Sequence, residues 1–167
     1  MTPAKTAKLI GSAPVLFVRN IFAATEHYRD AMGFSSGKIW GEPPSFAILR
    51  RDNMSVMFKQ IADHKHIIPR WTISSGLWDM YFWVDDVDAL YREFVERGAK
   101  IDYGLCDQPY GCREFGTRDI DGHDIGFGQV SLSANKRYFT GRASGSDIGS
   151  LNRLLESFQR DSRVSLR

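Results

Sequence analysis

Apolar residues along this chain fall into a pattern that occurs twice. Val15, Leu16, Phe17 and Val18 form an apolar run that predicts a buried strand. Residues 22–32 follow with the period of an amphipathic helix, closed by Gly33 as a C-cap. Met80, Tyr81, Phe82, Trp83 and Val84 repeat the run, residues 88–97 repeat the helix, and Gly98 repeats the stop. The ends of the two stretches correspond as well. Asp52 and Asn53, then Phe58 and Gln60, lie over Asp121 and Gly122, then Phe127 and Gln129, so each half has an Asp-led turn and closes on Phe-x-Gln. Between helix and last strand, residues 38–41 and 45–50 read as strands in the first half, and 100–104 and 112–118 in the second. Pro43 and Pro44 exclude that dipeptide from any central strand.

Repetition of this kind predicts an α+β chain of two βαβββ modules, about residues 13–60 and 78–130, within one domain over 1–132. Each helix buries its apolar stripe on one face of its own sheet and leaves the other face free, and two free faces brought together form a cleft. Alternation along the strands sorts the side chains. Leu16, Val18, Val56, Phe58, Met80, Phe82, Val84, Ile125 and Phe127 are expected toward the helices. Val15, Phe17, Ser55, Met57, Lys59, Asp79, Tyr81, Trp83, Asp124 and Gly128 are expected on the free face. Residues 61–76 read as a loop joining the modules. Residues 133–167 lie outside the repeat: a Gly/Ser-rich linker, then a helix from Asp147 to about Gln159 with Ile148, Leu151, Leu154, Leu155 and Phe158 on one side.

Composition narrows the function classes. At 167 residues the chain suffices for a sizeable core. The net charge of +2 comes from scattered residues, with no concentrated basic stripe to bind nucleic acid. No apolar run approaches the ~20 residues that span a bilayer, and no signal-like stretch opens the chain, so a cytoplasmic location is expected. A disulfide across a turn is geometrically open to the two cysteines, Cys106 and Cys112. Two cysteines in a chain of this size make no disulfide scaffold, and free thiols are expected. No Ser/His/Asp or Cys/His nucleophile set assembles, which leaves catalytic residues unassigned. His64, Lys65 and His66 read as a solvated loop, His123 as part of a turn, His27 as a surface residue, and Arg113 with Glu114 as an ion pair at a strand edge.

Several motifs together resemble the vicinal oxygen chelate superfamily, which includes glyoxalase I, bleomycin-resistance proteins and extradiol dioxygenases. They are the opening from Pro14 to Asn20, the strand from Ala47 into Arg51 and Asp52, and the strand-to-helix junction Val84-Asp85-Asp86-Val87. The strongest is Tyr110-Gly111-Cys112-Arg113-Glu114-Phe115, followed by Asp119-Ile120-Asp121-Gly122-His123 and Phe127-Gly128-Gln129. Ile120 stands where members commonly carry Pro. The resemblance implies a divalent-metal site in the family's enzymes at positions held here by Ala13, Met57, Asp79 and Gly126. Ala13 and Gly126 carry no donor, Met57 offers only a thioether, and one carboxylate makes no such site. No metal and no cofactor are therefore expected.

The leading expectation is a metal-independent small-molecule binding protein of the bleomycin-resistance type. It would work as a homodimer and sequester an aromatic or cationic ligand near Phe17, Met57, Lys59, Asp79, Tyr81, Trp83 and Asp124. Trp40, Phe46, Trp71, Trp78, Tyr103 and Tyr110 would form a rim. Two alternatives stand beside it: a glyoxalase- or dioxygenase-like metalloenzyme with atypical ligands, and a protein-interaction module using the C-terminal helix. No nucleic-acid or membrane partner is expected.

Overall fold

The computed structural model describes residues 7, 9 and 11–130. The expected C-terminal helix lies outside them. The chain divides into two compact units that part after Ile67.

In the first unit, β1 (Val15–Val18) leads to α1 (Ile21–Met32), then β2 (Ser35–Trp40), β3 (Phe46–Arg51) and β4 (Met54–Gln60). The sheet order is β1-β4-β3-β2, with β1 parallel to β4 and the other neighbours antiparallel. The second unit repeats the plan: β5 (Met80–Trp83), α2 (Val87–Glu96), β6 (Ile101–Gln108), β7 (Cys112–Arg118) and β8 (Asp124–Val130), in the order β5-β8-β7-β6. The two βαβββ modules are thus those the repeat predicts. The differences lie in the edge strands. β2 begins at Ser35, and β6 runs on to Gln108, across bulges that break its register with β7. Bulges let an edge strand follow its neighbour's twist, and no hydrophobic period marks them in advance. The joining loop carries two short 3-10 turns, His64–His66 and Arg70–Thr72. No helix among the described residues is long and apolar enough to cross a membrane.

The repeated terminal glutamine has a structural reason. Gln60 Oε1 accepts from the Ile21 N–H at 2.7 Å, and Gln129 Oε1 accepts from the Val87 N–H at 3.2 Å. Each module's last strand therefore caps the first turn of its own helix, satisfying an N–H that the helix itself cannot. Asn20 and Asp86 cap the same turns in sequence, through the N–H groups of Phe22, Ala23 and Ala89. At its other end α1 stops on Gly33, left-handed at φ 70°.

The cores follow the expected alternation. Leu16, Val18, Val56 and Phe58 are buried under α1, where Tyr28 meets Phe58 edge-on at 4.7 Å. In the second unit Phe94 of α2 stands edge-on to Phe115 and Phe127, which stack on each other 5.2 Å apart. Two of the polar expectations need correction. His27 is half-buried, with its ring against Tyr28 at 6.0 Å. Arg113 and Glu114 form no ion pair, because successive strand residues point to opposite faces. Arg113 reaches Asp88 of α2 and Asp107 on the helix side, and β7 is a central strand.

Truncating Phe115 to Ala is expected to cost about 3–5 kcal/mol, the range for an aromatic core cavity. Gln129→Ala removes the cap bond and the bond that its amide donates to the Asp85 carbonyl, and should cost about 1–2 kcal/mol. Urea unfolding followed by far-UV circular dichroism checks both values. Equal costs would contradict this division of labour.

Candidate functional site

The free face of the second sheet is built in rungs. The register sets Tyr81 of β5 beside Gly126 of β8, Gly126 beside Gly116 of β7, and Gly116 beside Tyr103 of β6. An aromatic residue therefore stands at each edge of the rung, with two glycines between. The next rung holds Trp83, Gly128, Glu114 and Cys106.

Three glycines on this face decide where the aromatic rings lie. A Cβ on Gly116 would collide with the Tyr103 ring, one on Gly126 with the Tyr81 ring, and one on Gly128 with the Tyr81 hydroxyl and Cys112 Sγ. Tyr81 and Tyr103 accordingly lie down over the bare backbone, where any side chain would hold them upright. Their hydroxyls then meet on Glu114, which is only 1% exposed. Tyr81 donates to Oε2 at 2.7 Å, while Tyr103 and Gln108 donate to Oε1 at 3.3 and 3.0 Å. The Tyr110 phenol, in the β6–β7 turn, lies within the electrostatic reach of the same carboxylate. Trp78 Nε1 donates to the Tyr103 hydroxyl at 3.1 Å, and Cys112 Sγ lies 3.3 Å from that of Tyr81. Trp78 and Trp83 stand edge-on to Tyr81 at 4.7 and 4.9 Å, and Trp83 is 55% exposed.

Burial dominates the electrostatics here. It raises the pKa of the Tyr81, Tyr103 and Tyr110 phenols, and their bonds or proximity to Glu114 raise it further. All three therefore keep their protons, and Tyr81 and Tyr103 act as donors to Glu114. Burial likewise pushes the Cys112 thiol up to about 11 and raises Cys106. Both cysteines are free thiols, and neither is primed as a nucleophile.

Beyond Gly126 the face becomes ionic. Arg118 bonds Asp102 and Asp124, with its guanidinium 4.2 Å from the centre of the Trp71 ring. Asp79 accepts the backbone N–H groups of Arg70 and, at 3.0 Å, Asp124. Its carboxylate thus holds the loop onto the sheet end. Behind it the Asp119–His123 turn closes with Asp119 Oδ2 3.0 Å from His123 Nδ1. Burial alone would lower the His123 pKa, but the hydrogen bond and charge of Asp119, with Asp79 and Asp121, shift it upward.

The seven anticipated ligand residues therefore fall in three settings. Tyr81 and Trp83 belong to the aromatic face. Asp79 and Asp124 belong to the ionic end. Phe17, Met57 and Lys59 lie on the free face of the first sheet, where Val15 pairs with Met57 and Phe17 with Lys59, whose Nζ donates to Ser45 at 3.0 Å. Of the residues expected as rim, Tyr103 converges with Tyr81 on Glu114, and Trp78 donates to the Tyr103 hydroxyl. Glu114, Gln108 and the glycine floor were not anticipated. The signal was present, since alternation puts Glu114 and Gly116 on the same face as Gly126 and Gly128.

The four positions that the sequence resemblance matches to the superfamily's metal ligands, Ala13, Met57, Asp79 and Gly126, carry side chains poorly suited to an ion. Gly126 has no donor, and the Tyr81 ring fills the space above it. Asp79 already accepts two backbone amides. Ala13 has no donor and Met57 only a soft sulfur. Among the described residues no group of three or more His, Cys, Asp or Glu gathers as a metal site.

The sequence model of the Glyoxalase/Bleomycin resistance protein/Dioxygenase superfamily matches residues 11–127, and the chain belongs to that superfamily. Among solved structures it is similar to the bleomycin-binding protein of bleomycin-producing Streptomyces verticillus, complexed with copper(II)-bleomycin. The identity is 21% over 75% of this chain and 98% of the other, with a TM-score of 0.55. The bleomycin resistance determinant encoded on transposon Tn5 matches at 19% identity over 74% and 100% of the two chains, TM-score 0.59. The lactoylglutathione lyase of Agrobacterium tumefaciens matches at 18% over 75% and 96%, TM-score 0.54. At these identities the likeness carries the fold alone, and one fold hosts binders and enzymes alike. Among curated proteins none matches the sequence.

Gly128→Ala should destabilise the chain by about 1–3 kcal/mol through overpacking against Tyr81. Tyr81→Phe deletes the hydroxyl that the new methyl meets. The double variant should therefore be more stable than the sum of the singles by about 0.5 kcal/mol or more in a urea-unfolding cycle. Strict additivity would contradict the glycine-floor geometry.

Proposed function

We propose that this protein binds a flat small molecule on the aromatic face of its second sheet, without metal and without turnover. Its action is then sequestration, as a homodimer of the bleomycin-resistance type. The observation that carries the reading is the glycine floor. Gly116, Gly126 and Gly128 leave room for Tyr81 and Tyr103 to lie flat, which gives a broad aromatic surface with a few fixed polar groups. Surfaces of that makeup suit small-molecule recognition.

Two further features support it. The side chains at the superfamily's metal positions are unsuited to a divalent ion, since two lack a donor and Asp79 is engaged by backbone amides. The free face of the first sheet leaves Val15 56% and Phe17 44% exposed. Apolar surface of this kind is poorly tolerated by a monomer and favours self-association.

Native mass spectrometry of freshly purified protein, compared with the denatured chain, tests the reading. A metal-free dimer is expected, with any retained organic molecule lost on denaturation. Stoichiometric Fe, Ni, Zn or Mn would contradict metal-independent binding, and a strictly monomeric species would contradict the dimer.

A further inference from the structure

Among the described residues, Glu114 is a buried carboxylate with no cation paired to it. Both of its oxygens accept hydrogen bonds, from Tyr81 on one side and from Tyr103 and Gln108 on the other, which is the pattern of an ionised group. All its donors are neutral. Phenols and an amide supply dipoles, and dipoles leave the net negative charge in place. A buried charge is costly unless it is paired. The two arginines of its strand are engaged elsewhere: Arg113 with Asp88 and Asp107, Arg118 at the strand end with Asp102 and Asp124. Among the described residues, none forms an ion pair with Glu114.

The negative charge has one clear outlet. Each phenol that donates to Glu114 is polarised by it, since hydrogen-bonded groups in a low-dielectric setting reinforce one another. A polarised phenol carries more negative charge on its ring face, and ring faces already attract cations. Tyr81 and Tyr103 lie flat on the glycine floor and are partly exposed, so ring surface coupled to the carboxylate reaches the outside of the sheet. Trp83 and Trp78 stand edge-on to Tyr81 and give that surface walls.

We propose that this aromatic face selects ligands bearing a positively charged nitrogen, and that Glu114 sets the selectivity through the tyrosines without touching the ligand. The inference rests on the ligand-binding reading and adds to it the charge class of the ligand and the residue that reads it.

Calorimetric titration of the full chain with two probes tests it: N-methylacridinium, a fixed flat cation, and acridine, its uncharged counterpart at neutral pH. The cation should bind roughly tenfold tighter, the magnitude expected of a partly desolvated cation–π contact. Glu114→Gln keeps an acceptor and the side-chain shape but removes the charge, and the ratio of affinities should fall to about one. Tyr81→Phe keeps the ring but cuts one link to the carboxylate and should reduce the ratio part of the way. If Glu114→Gln fails to fold by circular dichroism, Tyr81→Phe and the wild-type ratio decide the matter. Equal affinities in the wild type, or an undiminished ratio in the variant that folds, overturn charge selection while leaving ligand binding intact. Failure of both probes to bind overturns the ligand-binding reading and this inference with it.

Discussion

A carboxylate in the middle of a sheet has to be satisfied by whatever its neighbours can bring to it, and much of the second unit is shaped by that constraint. Glu114 sits on a central strand, so its partners must come from the edges of the same face. Tyr81 on β5 reaches it by lying across β8, and Tyr103 on β6 reaches it by lying over Gly116 of β7 itself. They can do so only where those strands have no side chains. Gly116, Gly126 and Gly128 supply the bare path, and Trp78 and Cys112 complete the contacts around the hydroxyls. A hydrogen bond to a charged group contributes about 1.5–3 kcal/mol, so the convergence fixes the two rings in place. A flat, rigid aromatic surface results.

The first unit shows what the same module looks like without that carboxylate. Val15 stands where the second unit has Tyr81, Phe17 where it has Trp83, and Met57 and Ile48 occupy the rung of the two glycines. That rung is apolar, whereas its counterpart is cleared by glycines beside the buried Glu114. The helix-facing sides stayed alike, down to the glutamines that cap α1 and α2. A shared core with divergent outer faces is how one fold carries different functions.

Much of this was legible in the sequence. Period-two alternation separated the core residues from the free face, because one sheet face must meet a helix. The repeat located both modules through Gly33, Gly98 and the paired Phe-x-Gln ends. The site was harder to read. Glu114 follows Arg113, and adjacent opposite charges suggest an ion pair until β pleating sends them to opposite faces. Tyr103 lies on a bulged strand, where counting residues loses the register. Gly126 reads in isolation as a missing metal ligand, and only its neighbours show it to be the floor beneath Tyr81. Asp79 fits a ligand contact by position, yet the loop from Arg70 folds back and occupies its oxygens.

The central claim is that the hydroxyls of Tyr81 and Tyr103 are committed to one buried carboxylate, whose charge also reaches Tyr110. Carbon-13 NMR of the tyrosine Cζ atoms through an alkaline titration tests it most directly. The resonances of Tyr81, Tyr103 and Tyr110, assigned by single Phe substitutions, should hold their protonated positions past the ordinary phenol value of about 10, until the chain unfolds. Ordinary titration of these three near that value, in a chain still folded, would show free hydroxyls and contradict the account.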